Sequence, residues 1–291
     1  MTSTKQTIRS FGFGVIAGLA GSVLFGAFAW LDIVPAGAAL PVFIVLLIIV
    51  GLAHYWKTLH MQVMRDEFTQ VKRRLSLMDN GIVETQGLVQ LSGLDQPFPV
   101  PFGGSWALTP DAAVVLTREV VVRKPGVVVE LGSGASTVMV GRLLKQLGHG
   151  RLISLDHDPE WARLTRRYIV ASGLQDIVEV VDAPLTRQQF DGKDYDWYQV
   201  PEQLRDILQI DMITVDGPPQ ATDTSILSRY PALPAFAAKL SPQAIIYVDD
   251  AGRDTEQNMI KTWLQTYPGW TSRMIDTIPG TCILERQENG G

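Results

Sequence analysis

Only one cysteine, Cys282, occurs in 291 residues, so no disulfide can form within the chain and cysteine usage gives no indication of redox compartment. Histidine is nearly as scarce, and of the four present only His157 falls inside a motif. The chain also lacks a strongly basic block. Its net charge is −5, from 25 Lys and Arg against 30 Asp and Glu, which argues against a nucleic-acid partner. What is abundant is apolar residues, at 46%, and the excess is concentrated at the start.

Phe11–Leu31 contains no charge and is long enough to cross a hydrocarbon core of about 30 Å as a helix. Ala38–Tyr55 is a second such run, built around Val42-Phe-Ile-Val-Leu-Leu-Ile-Ile-Val50, and Asp32–Gly37 forms a short turn between them. Residues 1–56 therefore read as a transmembrane helical hairpin (11–31 and 38–55). Lys5 and Arg9 precede it, Lys57, Arg65, Lys72, Arg73 and Arg74 follow it, and the turn has neither Lys nor Arg. That asymmetry places both ends, with the C-terminal domain, on the cytoplasmic side of the inner (plasma) membrane. Trp30, Tyr55 and Trp56 suit interfacial anchors. Ala36-Gly-Ala38 resembles a signal-peptidase site, but the first run is long for a signal peptide and a second follows at once. Gly14, Gly18, Ser22 and Gly26 form a small-residue face for close helix packing, within the hairpin or between two chains.

Residues 57–105 read as a connector. Leu59, Val63, Met64, Phe68, Val71, Leu75 and Met78 recur at spacings of 3 and 4, the pattern of an amphipathic helix. A coiled coil, which would make a homodimer, and a helix lying on a surface both fit, and the heptads up to Met78 are too few to choose. Asn80-Gly81 is expected to end the helix, and Gly- and Pro-rich Ser92–Ser105 reads as a linker.

From Trp106 to residue 291, strand and helix patterns alternate. Strands are expected at Gly126–Leu131, Arg151–Asp156, Ile177–Val181, Asp211–Asp216, Ala244–Asp249, Ser272–Asp276 and Thr281–Glu285. Helices are expected at Ala135–Leu147, Pro159–Ser172, Pro201–Leu208, Tyr230–Leu240 and Thr255–Thr266. This predicts an α/β domain with a doubly wound, mainly parallel seven-stranded sheet, ending in an antiparallel hairpin across Thr277–Gly280. Val127-Val-Val-Glu-Leu-Gly-Ser-Gly-Ala-Ser-Thr137 reads as strand, glycine turn and helix start, followed by Leu152-Ile-Ser-Leu-Asp156. A dinucleotide site wants a third glycine where Thr137 stands, and Glu130 would repel a pyrophosphate. A carboxylate there suits a cofactor carrying positive charge, such as S-adenosylmethionine.

Four ordered pieces, Glu130–Ser136, Leu155–Trp161, Ile213–Pro219 and Tyr247–Arg253, span some 150 residues. With them the domain resembles class I S-adenosylmethionine-dependent methyltransferases. It is most similar to an uncharacterised bacterial group related to the catechol-type O-methyltransferases; the hairpin and connector lie outside the resemblance. The resemblance implies that Gly132 and Gly134 let backbone approach the methionine part of the cofactor. Ser133, Ser136 and Thr137 would offer hydroxyls and amides, and Glu130 would orient the amino group. Asp156, 24 residues after Gly132, suits a ribose acceptor, and Asp158, before Pro159, suits a helix cap. His157 lies beside it, Trp161 either covers the adenine edge or packs its helix, and Asp182 and Ala183 are placed near the adenine amino group.

Asp216, Asp249 and Asp250 end two strands expected to be adjacent and form the candidate catalytic set. The catechol-type relatives carry an Asp and an Asp-Asn there as magnesium ligands, so these residues are also candidate Mg²⁺ ligands, with Asp250 standing where the amide would be. The alternative is that one carboxylate acts as a base or bonds substrate while the others pair with Arg229 or Arg253. Trp106, Trp197, Tyr198 and Arg229 are candidates to line an acceptor pocket. The reading is thus a membrane-anchored methyltransferase acting on oxygen, with a small-molecule, lipid-linked or glycan-precursor acceptor. A dinucleotide-dependent oxidoreductase and a catalytically inactive membrane scaffold are the alternatives.

Overall fold

The computed structural model describes residues 26, 39–93, 108–223 and 226–287. The chain divides into two compact units, 1–78 and 79–291. A single helix, α1 (Ala39–Leu91), runs for 53 residues. It does not stop at Asn80-Gly81. A helical glycine costs about 1 kcal/mol against alanine, and here the helix continues beyond it to a tertiary contact at Gly87, where an added Cβ would lie 2.7 Å from the Pro110 backbone. Among the described residues no helix is long and apolar enough to cross a membrane, so the expected hairpin is not shown. Its first run, apart from Gly26, lies outside the described residues, as do 94–107 with most of the expected linker and Trp106.

The second unit is built on a seven-stranded sheet in the order β3-β2-β1-β6-β7-β9-β8. The strands are β1 (Val127–Leu131), β2 (Arg151–Asp156), β3 (Val178–Asp182), β6 (Ile210–Val215), β7 (Leu240–Val248), β8 (Trp270–Ile275) and β9 (Thr281–Arg286). The five neighbours β3 to β7 pair in parallel, and β9 pairs antiparallel with both β7 and β8. The central strands are apolar on both faces, as the continuous run Val127-Val-Val demands of a sheet covered on two sides.

The two faces are covered differently. On one, Val128, Leu152, Val178, Met212 and Ile245 pack against helices α2 (Pro110–Arg123), α3 (Ala135–Leu147) and α4 (Pro159–Ala171). On the other, Val129, Ile153, Ile213 and Ile246 pack against Trp197, Tyr230, Phe236 and the Met259 and Trp263 face of α5 (Asp254–Thr266). Two of the expected helices, at 201–208 and 230–240, are absent. Residues 230–240 form short 3₁₀ turns at Tyr230–Ala232 and Ala237–Lys239, because Pro231 and Pro234 cannot supply the N–H bonds of an α-helix. Residues 201–208 keep only Glu202–Leu204. In their stead an antiparallel hairpin, β4 (Leu185–Phe190) and β5 (Lys193–Tyr198), brings Trp197 and Tyr198 into the core. Neither the hairpin nor α2 is among the elements expected from sequence. The hairpin tip is held by Asp191 Oδ2, which accepts from Tyr230 Oη and Tyr267 Oη, both at 2.7 Å.

Candidate active site

Strand β1 has β2 and β3 on one side and β6 and β7 on the other, so chain direction across the sheet reverses there. Ligands in open α/β sheets bind beyond the carboxyl ends of the strands at such a point. Every sequence-predicted site residue except Gly134, Ser136 and Thr137 lies at, or within two residues of, a strand's carboxyl end; those three follow in the glycine loop and the start of α3.

On the β1–β2 side the carboxylates organise backbone. Gly132 has φ +97°, and an added Cβ there would lie 3.2 Å from Gly217 N, so two constraints require glycine. Nothing lies within 4 Å of the Cβ position of Gly134, which leaves the loop open to a ligand. Asp156 Oδ2 accepts from Ser133 N (3.0 Å) and Ser133 Oγ (2.5 Å), and Oδ1 accepts from Asp158 N (3.0 Å). Asp156 therefore ties the glycine loop to the β2 end. Asp158 is the α4 cap, accepting from Glu160 N at 2.8 Å.

Glu130 is 1% exposed. Its Oε2 accepts from Thr137 Oγ1 (2.5 Å) and Ser154 Oγ (2.6 Å), and Oε1 has no hydrogen-bond partner among the described residues. Burial pushes the carboxyl up to about 7, against the lowering influence of the nearby Ser136 hydroxyl and of the Ser154 and Thr137 hydroxyl bonds. Thr137 is fully buried, and its hydroxyl also accepts from Gly134 N at 2.8 Å. It braces Glu130 and the loop rather than offering a free group. Asp182 points away to Arg166, at 2.9 and 3.2 Å, while Ala183 is buried and donates its N–H to Asp156 O. His157 is partly exposed, its Nδ1 3.7 Å from Asp156 Oδ1, and Trp161 is half exposed on α4.

The β6–β7 side is built on charge. Carboxylate oxygens of Asp216, Asp249 and Asp250 lie within 4.8 Å of one another, as the adjacency of their strands requires. Buried Arg229 stands among them, 3.5 Å from Asp216, 3.3 Å from Asp250 and 3.8 Å from Glu256, and it also donates to Pro218 O and Asp249 O. Arg253 pairs with Asp250 at 2.8 Å. Pairing of the acids with Arg229 and Arg253, weighed at the outset as the alternative to metal, is thus realised for Asp216 and Asp250. Asp249 is left over: Oδ1 is buried without a hydrogen-bond partner among the described residues, and burial, then the charges of Asp216 and Asp250, push its carboxyl well above the usual range. Burial also raises Asp216, countered by Arg229, although a third of its side chain remains open. Asp250 has φ +59°, a left-handed conformation that Asp tolerates better than most residues.

These groups fit a hard divalent cation. The donors are carboxylate oxygens, one buried oxygen is unpartnered, and Asp216, Asp249, Asp250 and Glu256 outnumber the two guanidiniums. Glu256 was not legible in the sequence, because a glutamate in the first turn of a helix reads as an ordinary dipole partner. Tyr198 lies under Gly217: its buried Oη has no hydrogen-bond partner among the described residues, and a Cβ on Gly217 would sit 2.3 Å from it.

Residues 129–251 match the family model of a methyltransferase domain. A Klebsiella pneumoniae structure, provisionally described as an O-methyltransferase, aligns with 72% of this chain and 99% of its own at 15% identity and a TM-score of 0.50. An O-methyltransferase from Bacillus cereus, in complex with S-adenosylhomocysteine, aligns at 17% identity over 70% of this chain and 90% of its own, with a TM-score of 0.47. No curated protein matches in sequence. Residues 129–251 are thus similar to methyltransferase domains, and the sheet order and the glycine loop agree with that likeness.

Proposed function

We propose that the domain transfers the S-adenosylmethionine methyl group to an acceptor oxygen held against Asp216, Asp249 and Asp250. The observation that carries this reading is the convergence of those three carboxylates beside the Glu130 and Asp156 loop, with Gly132 and Gly217 in backbone contact between them. Glu130 Oε1, buried and unpartnered, is the group to receive the cofactor ammonium, and Asp156 sets the ribose side of the loop. The acceptor oxygen attacks the methyl carbon as the carbon–sulfur bond breaks. The electron pair goes to sulfur, the sulfonium charge disappears and S-adenosylhomocysteine results. The hydroxyl proton passes to Asp216, whose raised pKa and partial exposure suit a base. A magnesium ion held by Asp216, Asp249 and Asp250 would, when bound, lower the acceptor hydroxyl pKa.

Anchoring through 11–31 and 38–55 is supported by their lack of charge and by the Lys and Arg bias of their flanks, which puts the domain on the cytoplasmic side. A lipid-linked or glycan-precursor acceptor follows from such anchoring, which concentrates an enzyme on membrane substrates. Calorimetric titration of the full chain with S-adenosylhomocysteine and with NAD tests the cofactor. Binding of NAD alone rejects the reading and favours an oxidoreductase. Methyl transfer from labelled S-adenosylmethionine to a panel of hydroxyl acceptors, with and without Mg²⁺, tests the reaction. Binding with no transfer to any acceptor favours a scaffold. Release of the chain from membranes by alkaline carbonate rejects anchoring.

A further inference from the structure

The continuity of α1 past Asn80-Gly81 changes what its apolar stripe amounts to. Met61, Phe68, Leu75, Ile82 and Val89 repeat every seven residues, and Met64, Val71, Met78 and Thr85 fall between them at alternating spacings of three and four. Four heptads of one uninterrupted helix, roughly 43 Å long at 1.5 Å per residue, carry this a/d seam. Every one of the nine residues is exposed; Phe68 is 61% and Met78 66% open. The opposite, f positions are Asp66, Arg73, Asn80 and Gly87. Within the second unit, Gly87 is buried against Pro110, and Leu91, at a c position, is also buried.

We propose that α1 pairs with α1 of a second copy of this chain as a parallel, in-register two-stranded coiled coil over Met61–Val89. Charge settles the partner and the direction. In a parallel pair each g residue faces the e residue of the partner's following heptad. That sets Glu67 against the other copy's Lys72, and Arg74 against its Asp79. Both contacts are attractive and each occurs twice. None of these four residues forms an ion pair within the chain, among the described residues. An antiparallel pair of full overlap would instead bring Arg74 to Arg74 and Lys72 to Lys72 near its centre, where like charges repel. The inference stands on the helix alone and does not depend on methyl transfer or on anchoring.

Disulfide trapping of the full-length chain in detergent tests it. The native Cys282 is fully buried and serves as the background. Phe68→Cys and Ile82→Cys, each alone, are expected to give a dimer band under mild oxidation, and Arg73→Cys, on the back of the helix, none. A band that appears only when Phe68→Cys is mixed with Met78→Cys overturns the parallel arrangement. Equal trapping at Arg73→Cys, or a monomeric mass by light scattering, overturns the seam; the monomeric result is the one expected if the stripe lies on a membrane or on another protein. Glu67→Lys is expected to weaken association by about tenfold, and adding Lys72→Glu to restore it. Failure of the double exchange to rescue overturns the charge register even if the chain is dimeric.

Discussion

The two halves of the site use acids in opposite ways. On the β1–β2 side, Asp156 and Glu130 accept from neutral donors, the Ser133 amide and hydroxyl, the Asp158 amide, and the Thr137 and Ser154 hydroxyls. On the β6–β7 side, Asp216, Asp250 and Glu256 face the guanidinium of Arg229, and Asp249 is left without a partner on Oδ1. Neutral donors fix loop geometry without adding charge, which suits a cofactor that must be bound identically in every turnover. A cluster with unbalanced charge shifts pKa values, which suits the half where a proton has to move.

The sharpest way to break this contrast is Arg229→Met. It leaves Asp216, Asp250 and Glu256 facing one another without the central cation, and the expected loss is about 3–5 kcal/mol. For a domain of this size that lowers the Tm by roughly 10 °C, measured by thermal denaturation. A fall of only a degree or two would mean the cluster is not held by Arg229. Asp156→Asn comes next. Losing the charged acceptor at the Ser133 loop is expected to weaken S-adenosylhomocysteine binding about 10- to 100-fold, with a smaller effect on Tm. Unchanged affinity in calorimetry would remove Asp156 from the cofactor half.

The pH dependence separates the halves further. Glu130, raised to about 7 by burial, is protonated in the free protein below that pH. Its folded pKa exceeds its unfolded value, so its contribution to stability is complete below about 4.5 and is lost as pH rises through about 7. Binding of the cofactor ammonium favours the ionised form and expels the proton. Affinity for S-adenosylhomocysteine should therefore rise with pH between 5.5 and 7, by up to about tenfold per unit, and then level off. Glu130→Gln should flatten that profile, and a flat profile in the unaltered protein would show that the ammonium lies elsewhere. The smallest expected effect belongs to the hairpin that delivers Tyr198. Tyr267→Phe removes one of the two hydrogen bonds to Asp191 and should cost about 1 kcal/mol, or 2–4 °C in Tm, with cofactor affinity unchanged.

The legibility of these features in sequence followed their dependence on local pattern. The glycine turn, the strand ends at Asp156, Asp216 and Asp249, and the Asp158 cap were readable because each is set within a few residues. The helices expected at 201–208 and 230–240 failed because prolines and short length left the second face to 3₁₀ turns and a hairpin. Thr137 was read as a ligand donor, yet its hydroxyl is consumed by Glu130, a pairing seven residues apart that only the bend of the loop creates.

By itself the sequence determined the seven strands of the main sheet and the helices after β1, β2 and β7, the cofactor type suggested by Glu130 and Thr137, and the three aspartates at strand ends, because apolar periodicity and turn chemistry are local properties. Only tertiary structure decided that Arg229 and Glu256, from a loop and a helix far apart in the chain, complete the charge cluster, because burial and Coulomb interactions act across the fold without regard to sequence separation. It decided as well that α1 runs unbroken to Leu91, because the contact of Gly87 with Pro110 outweighs the weak helix propensity of Asn80-Gly81.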